Sequence, residues 1–218
     1  VRSGWFLEML AVVETQARLP TTDIDDLGFP STPSAIGEQE IEAAAAELRR
    51  RWRIGDGPVP NMIAVLEVRG CGVTRFAFGA DSLDSFSQYA AGRPLIALNA
   101  DAGSAARARF DAAHELGHLV LHRGVDSKTV WQPEQHKLME TQAHRFAAAF
   151  LFPQSAFCDE VYSLSLEALV AVKKRWGVSM QMMVRRARDL GLVNQDKYER
   201  ACREISRRGY RLREPLDD

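Results

Sequence analysis

His114, Glu115 and His118 stand in the stretch Phe110 to His122 as His-Glu-x-x-His, within a run of apolar residues at helical spacing. Residues four apart on an α-helix stack on one face, so the imidazoles of His114 and His118 can offer two nitrogens to one metal ion. Glu115 is turned about 100° from His114 on a helix of 3.6 residues per turn. Its stem still reaches a water carried by that ion, which is the place of a general base. Leu116, Leu119, Val120 and Leu121 supply the side that buries the helix. Gly117 interrupts it at a cost of about 1 kcal/mol against alanine, which points to close approach of another backbone, the one that brings a further ligand.

A catalytic zinc takes three protein ligands and keeps one position open. His122 fails as the third, because it lies two helical turns beyond His114, about 12 Å along the axis. It is expected instead at the helix C-terminus, where a cation suits the dipole. Glu140 is the better ligand. It lies in Leu138 to Pro153, a stretch rich in alanine and aromatics that should form a buried helix ending before the proline. There Glu140 shares a face with Ala143, Ala147 and Phe150, where an unpaired carboxylate is costly or takes up a proton, and a cation removes the difficulty. Ala143 and Ala147 are also small enough to admit the helix bearing Gly117. His144, one turn beyond Glu140, reads as a donor behind the ligands, a stabiliser of the charged intermediate, a rival ligand, or a packed core histidine. His136, Glu134 and Asp126 are outlying ligand candidates, and Tyr89 and Arg145 join His144 as candidates to stabilise an oxyanion.

The elements that must position these groups are read from periodicity. Trp5 to Ala17 reads as a short helix, followed by a polar, proline-punctuated linker. Ile41, Ala44, Ala45, Leu48 and Trp52 mark a helix from Glu38 that closes on Arg49, Arg50 and Arg51, a basic end that suits the dipole. Asn61 opens a second over Met62 to Val68. Gly72 to Phe78, Ser85 to Ala90 and Pro94 to Asn99 read as strands of a small antiparallel or mixed sheet, with Leu95 to Leu98 close to the cleft where an extended substrate adds as a strand. Arg123 to Lys137 reads as a charged loop. Beyond Pro153, Leu166 to Trp176 and Met180 to Leu190 read as helices about a Gly177-Val178-Ser179 turn, resembling a helix-turn-helix.

Composition bounds the rest. The chain has 218 residues, 46% hydrophobic, with a net charge of −1, enough to bury a substantial core and with no general bias toward nucleic acid or membrane. The basic residues gather in the tail, where a patch can meet phosphates. A solvated helical face is the simpler use, since no base-reading pattern is identifiable. Cys71, Cys158 and Cys202 form neither a disulfide framework nor a metal-binding pair, and fit a reducing compartment. No apolar run is long enough to cross a bilayer and Glu8 interrupts the one candidate leader, so the cytoplasm is expected.

Taken together, His114-Glu-Leu-Gly-His118-Leu-x-Leu-His122 and Glu140-x-x-Ala143-x-x-Phe146-Ala147-x-x-Phe150-Leu151-x-Pro153 resemble the ImmA/IrrE family of metallopeptidases. The likeness extends through the Gly55 to Pro58 turn, Arg93 to Asn99, Lys174 to Ser179, Arg186 to Gly191 and Arg208 to Arg211, covering roughly residues 37 to 215. It implies zinc held by His114, His118 and Glu140, with Glu115 catalytic, and cleavage of a helix-turn-helix repressor that relieves transcriptional repression. The tail motifs look most like larger relatives in which a Cro-like DNA-binding domain precedes the protease; this chain starts after that point. The expected architecture is therefore α+β. It comprises an N-terminal arm and linker over residues 1–36, a zincin-like metallopeptidase core over 37–153 and a basic helical domain over 154–218. Its site has His114, His118 and Glu140 at the metal and Glu115 and His144 as catalytic groups. Competing readings are a DNA-binding or sensory regulator whose metal is structural or regulatory, and a peptidase of broad specificity.

Overall fold

The computed structural model describes residues 8, 15–16, 18–24, 26–76, 85–100 and 103–217. The helix expected from Trp5 to Ala17 lies outside them but for Glu8, Thr15 and Gln16, as do residues 77–78 of the first expected strand. The architecture is α+β, a small mixed sheet among many helices.

The sheet holds β1 (Gly72–Phe76), β2 (Ser85–Ala90) and β3 (Arg93–Asn99) in the order β1-β3-β2. β3 pairs parallel with β1, Gly72 opposite Leu95, and antiparallel with β2, Ser85 opposite Leu98. Its central place explains its unbroken apolar run, since Pro94 to Leu98 are all buried. The β2–β3 turn is two residues long, and Ala91 (φ 51°) and Gly92 (φ 79°) are both left-handed, the backbone that matches strand twist in a tight hairpin.

Of the helices α1 (Glu38–Arg51), α2 (Met62–Val68), α3 (Ala105–Leu121), α4 (Ser127–Val130) and α5 (Pro133–Leu151), α2 packs against β1 and α3 against β2 and β3, while α5 lies on α1, α3 and α4. α3 starts where Ser104 accepts a hydrogen bond from the Arg107 amide, so Arg107 and Arg109 lie within its first turns. The charged loop expected over Arg123 to Lys137 is mostly helix: Asp126 caps α4 through the Thr129 amide, and Pro133 opens α5. A proline at the first helical position loses no hydrogen bond, so it starts a helix where its sequence signal reads as a break.

The tail forms α6 (Gln154–Glu160), α7 (Leu166–Trp176), α8 (Met180–Asp189) and α9 (Gln195–Arg207). α7 ends on left-handed Gly177, and Ser179 caps α8. One continuous cluster of buried apolar side chains runs from Ile24 and Ile36, before α1, through α3 and α5 to Trp176, Met183 and Ile205. Trp176 stacks on Phe152 with ring centroids 3.8 Å apart. Arg49, expected to serve only the helix dipole, is buried and donates to the carbonyls of Gly55, Gly57 and Phe150, joining α1 to the end of α5.

Candidate metal centre

α3 and α5 carry the site, and their approach is set by small residues. A Cβ placed on Gly117 would come within 3.2 Å of the Ala143 Cα, the Ala143 carbonyl oxygen and the Phe146 ring. The glycine therefore lets the two backbones meet, and the helices bring His114, His118 and Glu140 together. His114 Nε2 and His118 Nε2 are 3.0 Å apart. Glu140 straddles them, with Oε2 3.2 Å from His114 Nε2 and Oε1 3.2 Å from His118 Nε2. Four-coordinate zinc with bonds of about 2.0–2.2 Å puts neighbouring donors roughly 3.3 Å apart, so this set fits one ion. Among the described residues these three are the group able to hold a metal. Contact with the two imidazoles, His114 foremost, holds the Glu140 carboxyl below the usual carboxylate range. It is thus a ready anionic ligand.

The outlying candidates fall away on position. His136 Nε2 is 3.9 Å from Glu140 Oε1 and exposed, and Asp126 is occupied in capping α4. His144 packs its ring against His114, with centroids 4.5 Å apart, and its Nδ1 lies 2.7 Å from the Glu140 carbonyl oxygen. A carbonyl only accepts, so Nδ1 carries the proton and Nε2 is the nitrogen left for other work. His144 is exposed rather than a packed core histidine, yet desolvation on its packed side, then the nearby His114, lowers its pKa and favours the neutral ring. Of the other oxyanion candidates, Tyr89 is engaged at 3.5 Å with the Leu119 carbonyl. Arg145 is paired with Glu38 at 2.9 Å and Glu42 at 3.3 Å.

Glu115 is buried, with 3% of its surface exposed, and accepts a 2.5 Å hydrogen bond from the Ser85 hydroxyl. Ser87 donates to the Glu115 carbonyl at 3.2 Å. β2 is thus the strand that holds the carboxylate. Leu95 to Leu98, expected close to the cleft with the open edge unread, are in the central strand and paired on both sides, so strand addition falls to an edge strand. Ser85 escapes sequence reasoning because it is 30 residues from Glu115 and nothing local ties the two.

His122 also departs from expectation. It caps the C-terminus of α3 but is buried, which with the nearby His118 pushes its pKa down to about 4, so it brings no charge to the helix dipole. Its Nδ1 is 3.0 Å from His118 Nδ1 and its Nε2 is 3.0 Å from Gln142 Oε1. His114 differs, for its Nδ1 is buried with no hydrogen-bond partner among the described residues.

The profile of a peptidase family, described as an IrrE N-terminal-like domain, matches residues 66–188, more than half the chain and the whole of this site. The chain belongs to that family. Membership of the IrrE-like peptidases agrees with three residues able to hold a metal and a buried glutamate that follows one of them in the chain. Among solved structures, a Mycobacterium tuberculosis transcriptional regulator has a similar fold at a TM-score of 0.52 and 16% identity. The similarity covers 68% of this chain and 46% of the regulator, so the chain spans under half of that protein. No curated protein matches the chain. No helix among the described residues is long and apolar enough to cross a membrane.

Proposed function

We propose that the chain is a zinc-dependent endopeptidase with a zincin-like core, cutting a helix-turn-helix repressor and so relieving repression. The observation that carries this reading is the meeting of three donors, His114 Nε2, His118 Nε2 and Glu140, at 3.0–3.2 Å beside the buried Glu115. Two imidazoles and one carboxylate suit zinc and leave a fourth position for a non-protein ligand. When bound there, the ion supplies Lewis acidity, acidifying water and polarising a carbonyl.

The protein's own groups do the remainder. Glu115 takes a proton from the attacking water and delivers it to the leaving amine. Ser85 donates to Glu115 Oε1 and fixes the carboxylate, so that its other oxygen is the one aimed at the water. β2, which pairs only with β3 among the described residues and lies against α3, aligns an extended peptide. His144 stabilises the charged intermediate only as the imidazolium, since its Nδ1 already holds a proton against the Glu140 carbonyl, and its contact with His114 works against that charge.

The repressor as substrate rests on the family resemblance, and the regulator with a similar fold agrees with a place in transcriptional control. Direct DNA binding by the tail fits less well. In α8, the second helix of the helix-turn-helix-like pair, Met180, Met182, Met183, Val184, Arg186 and Ala187 are buried. Its exposed positions are engaged within the chain: Gln181 with the Arg211 carbonyl, Arg185 with Asp189, and Arg188 over the Tyr198 ring. Co-expression of the chain with helix-turn-helix repressors, wild type against Glu115→Gln, tests the proposal. Truncation of a repressor by the wild type alone is expected, and an equal cellular effect of the variant would contradict it.

A further inference from the structure

A chain of hydrogen bonds leads from the proposed metal ligand His118 into the body of the protein, and its direction can be read from the groups at its far end. Gln142 Nε2 lies 2.8 Å from the Pro33 carbonyl and 3.1 Å from the Ile36 carbonyl. Both partners only accept, so the amide nitrogen is fixed there and Gln142 Oε1 must face His122 as an acceptor. His122 Nε2, 3.0 Å from that oxygen, therefore donates. His122 is 7% exposed and, with its proton on Nε2, presents a lone pair at Nδ1. His118 Nδ1, 3.0 Å away, must then be the donor. A neutral imidazole with its proton on Nδ1 has its lone pair on Nε2, the nitrogen that faces His114 and Glu140.

We infer that His122 and Gln142 are positioning residues that lock His118 in the one tautomer able to bind metal through Nε2, with the carbonyls of Pro33 and Ile36 as the fixed end of the relay. The segment before α1 thereby takes part in ligand orientation. The role is not shared by His114, whose Nδ1 has no such partner among the described residues. Histidine ligands are commonly held by a partner on their second nitrogen, and loss of that partner weakens metal binding by roughly 10–100-fold. Here the partner is an imidazole rather than a carboxylate, so it orients His118 without adding negative charge.

This inference rests on the metal-site reading, and two measurements keep the two apart. Long-range 1H–15N spectra of the metal-free wild-type protein report each ring's tautomer with no metal needed. His118 is expected to hold a proton on Nδ1, whatever Nε2 carries toward Glu140 before metal is added, and His122 to hold its proton on Nε2; a His118 Nδ1 without a proton overturns the relay. Competitive zinc titration of wild type tests the site itself, and His122→Phe is expected to raise the zinc Kd by about 10–100-fold. His122→Asn keeps an acceptor where Nδ1 stood and should recover most of that loss. Gln142→Leu should leave His122, and with it His118, as a mixture of tautomers. Equal zinc affinity in His122→Phe and wild type, with the same metal-free circular dichroism, also overturns the proposal. Should His122→Phe not fold, the wild-type spectra decide alone.

Discussion

At the scale of single residues, one buried carboxylate is assigned the proton transfers and three side chains the metal. Glu115→Gln keeps the shape and loses the base, so peptidase activity should fall by at least about a hundredfold while zinc stoichiometry stays unchanged. Ser85→Ala removes the donor to Glu115 Oε1. Loss of one such hydrogen bond is worth about 1.4 kcal/mol, so kcat/KM should drop roughly tenfold with zinc binding intact. His122 gives the metal-free protein a pH dependence. Its folded-state value of about 4 lies below the unfolded 6.5, so between these values the unfolded chain binds a proton that the folded chain refuses. Stability must therefore fall as the pH drops through that window, and urea midpoints of chelator-treated protein at neutral pH and near pH 5 check it. His114, His118 and Glu140 are legible in the sequence because two share a helical face and the third is a carboxylate on an apolar one. Ser85 and Gln142 are not, since their partners come from segments far away in the chain.

At the scale of elements, the contact of α3 with α5 sets the site. Gly117→Ala gains about 1 kcal/mol of helix propensity, but its methyl group meets the backbone of Ala143 at 3.2 Å. Overpacking costs about 1–3 kcal/mol, and here the obstacle is main chain rather than a flexible side chain. A net loss of thermal stability is expected, together with weaker zinc binding as Glu140 is pushed back; an unchanged Tm and zinc Kd would show that the helices do not touch there. The spacing of Gly117, Ala143 and Ala147 makes this approach readable from sequence. Strand order is not readable, because β3 becomes central through pairing on both sides, and a buried apolar run says only that both faces or edges are covered. The start of α5 is hidden by Pro133, which reads as a breaker.

At the scale of the molecule, the basic tail is tied into the same core as the metal helices. Arg186 is fully buried, donates to the Phe152 carbonyl, and forms a two-pronged pair with Glu42 of α1 at 2.8 and 2.9 Å. Lys173 is buried against Glu214 and Asp217. Counted from sequence, these cations resemble a phosphate-binding patch; in the fold they are internal ties. Arg186→Ala removes the buried guanidinium that joins the Phe152 carbonyl to Glu42, leaving Glu42, among the described residues, only Arg145 at 3.3 Å, and should cost about 3 kcal/mol, read by denaturant unfolding. The same ties lead to the expectation that the full chain shows no salt-sensitive DNA retention.

The peptidase reading stands on His114, His118 and Glu140 converging on one zinc ion and leaving it an open corner. Anomalous diffraction at the zinc edge from crystals of the zinc-loaded chain tests it most directly. A single peak is predicted, about 2.0–2.2 Å from His114 Nε2, His118 Nε2 and a Glu140 carboxylate oxygen, with its fourth ligand not from the protein. A peak that Glu140 does not touch, a fourth protein ligand closing the site, or no peak at all would contradict the account.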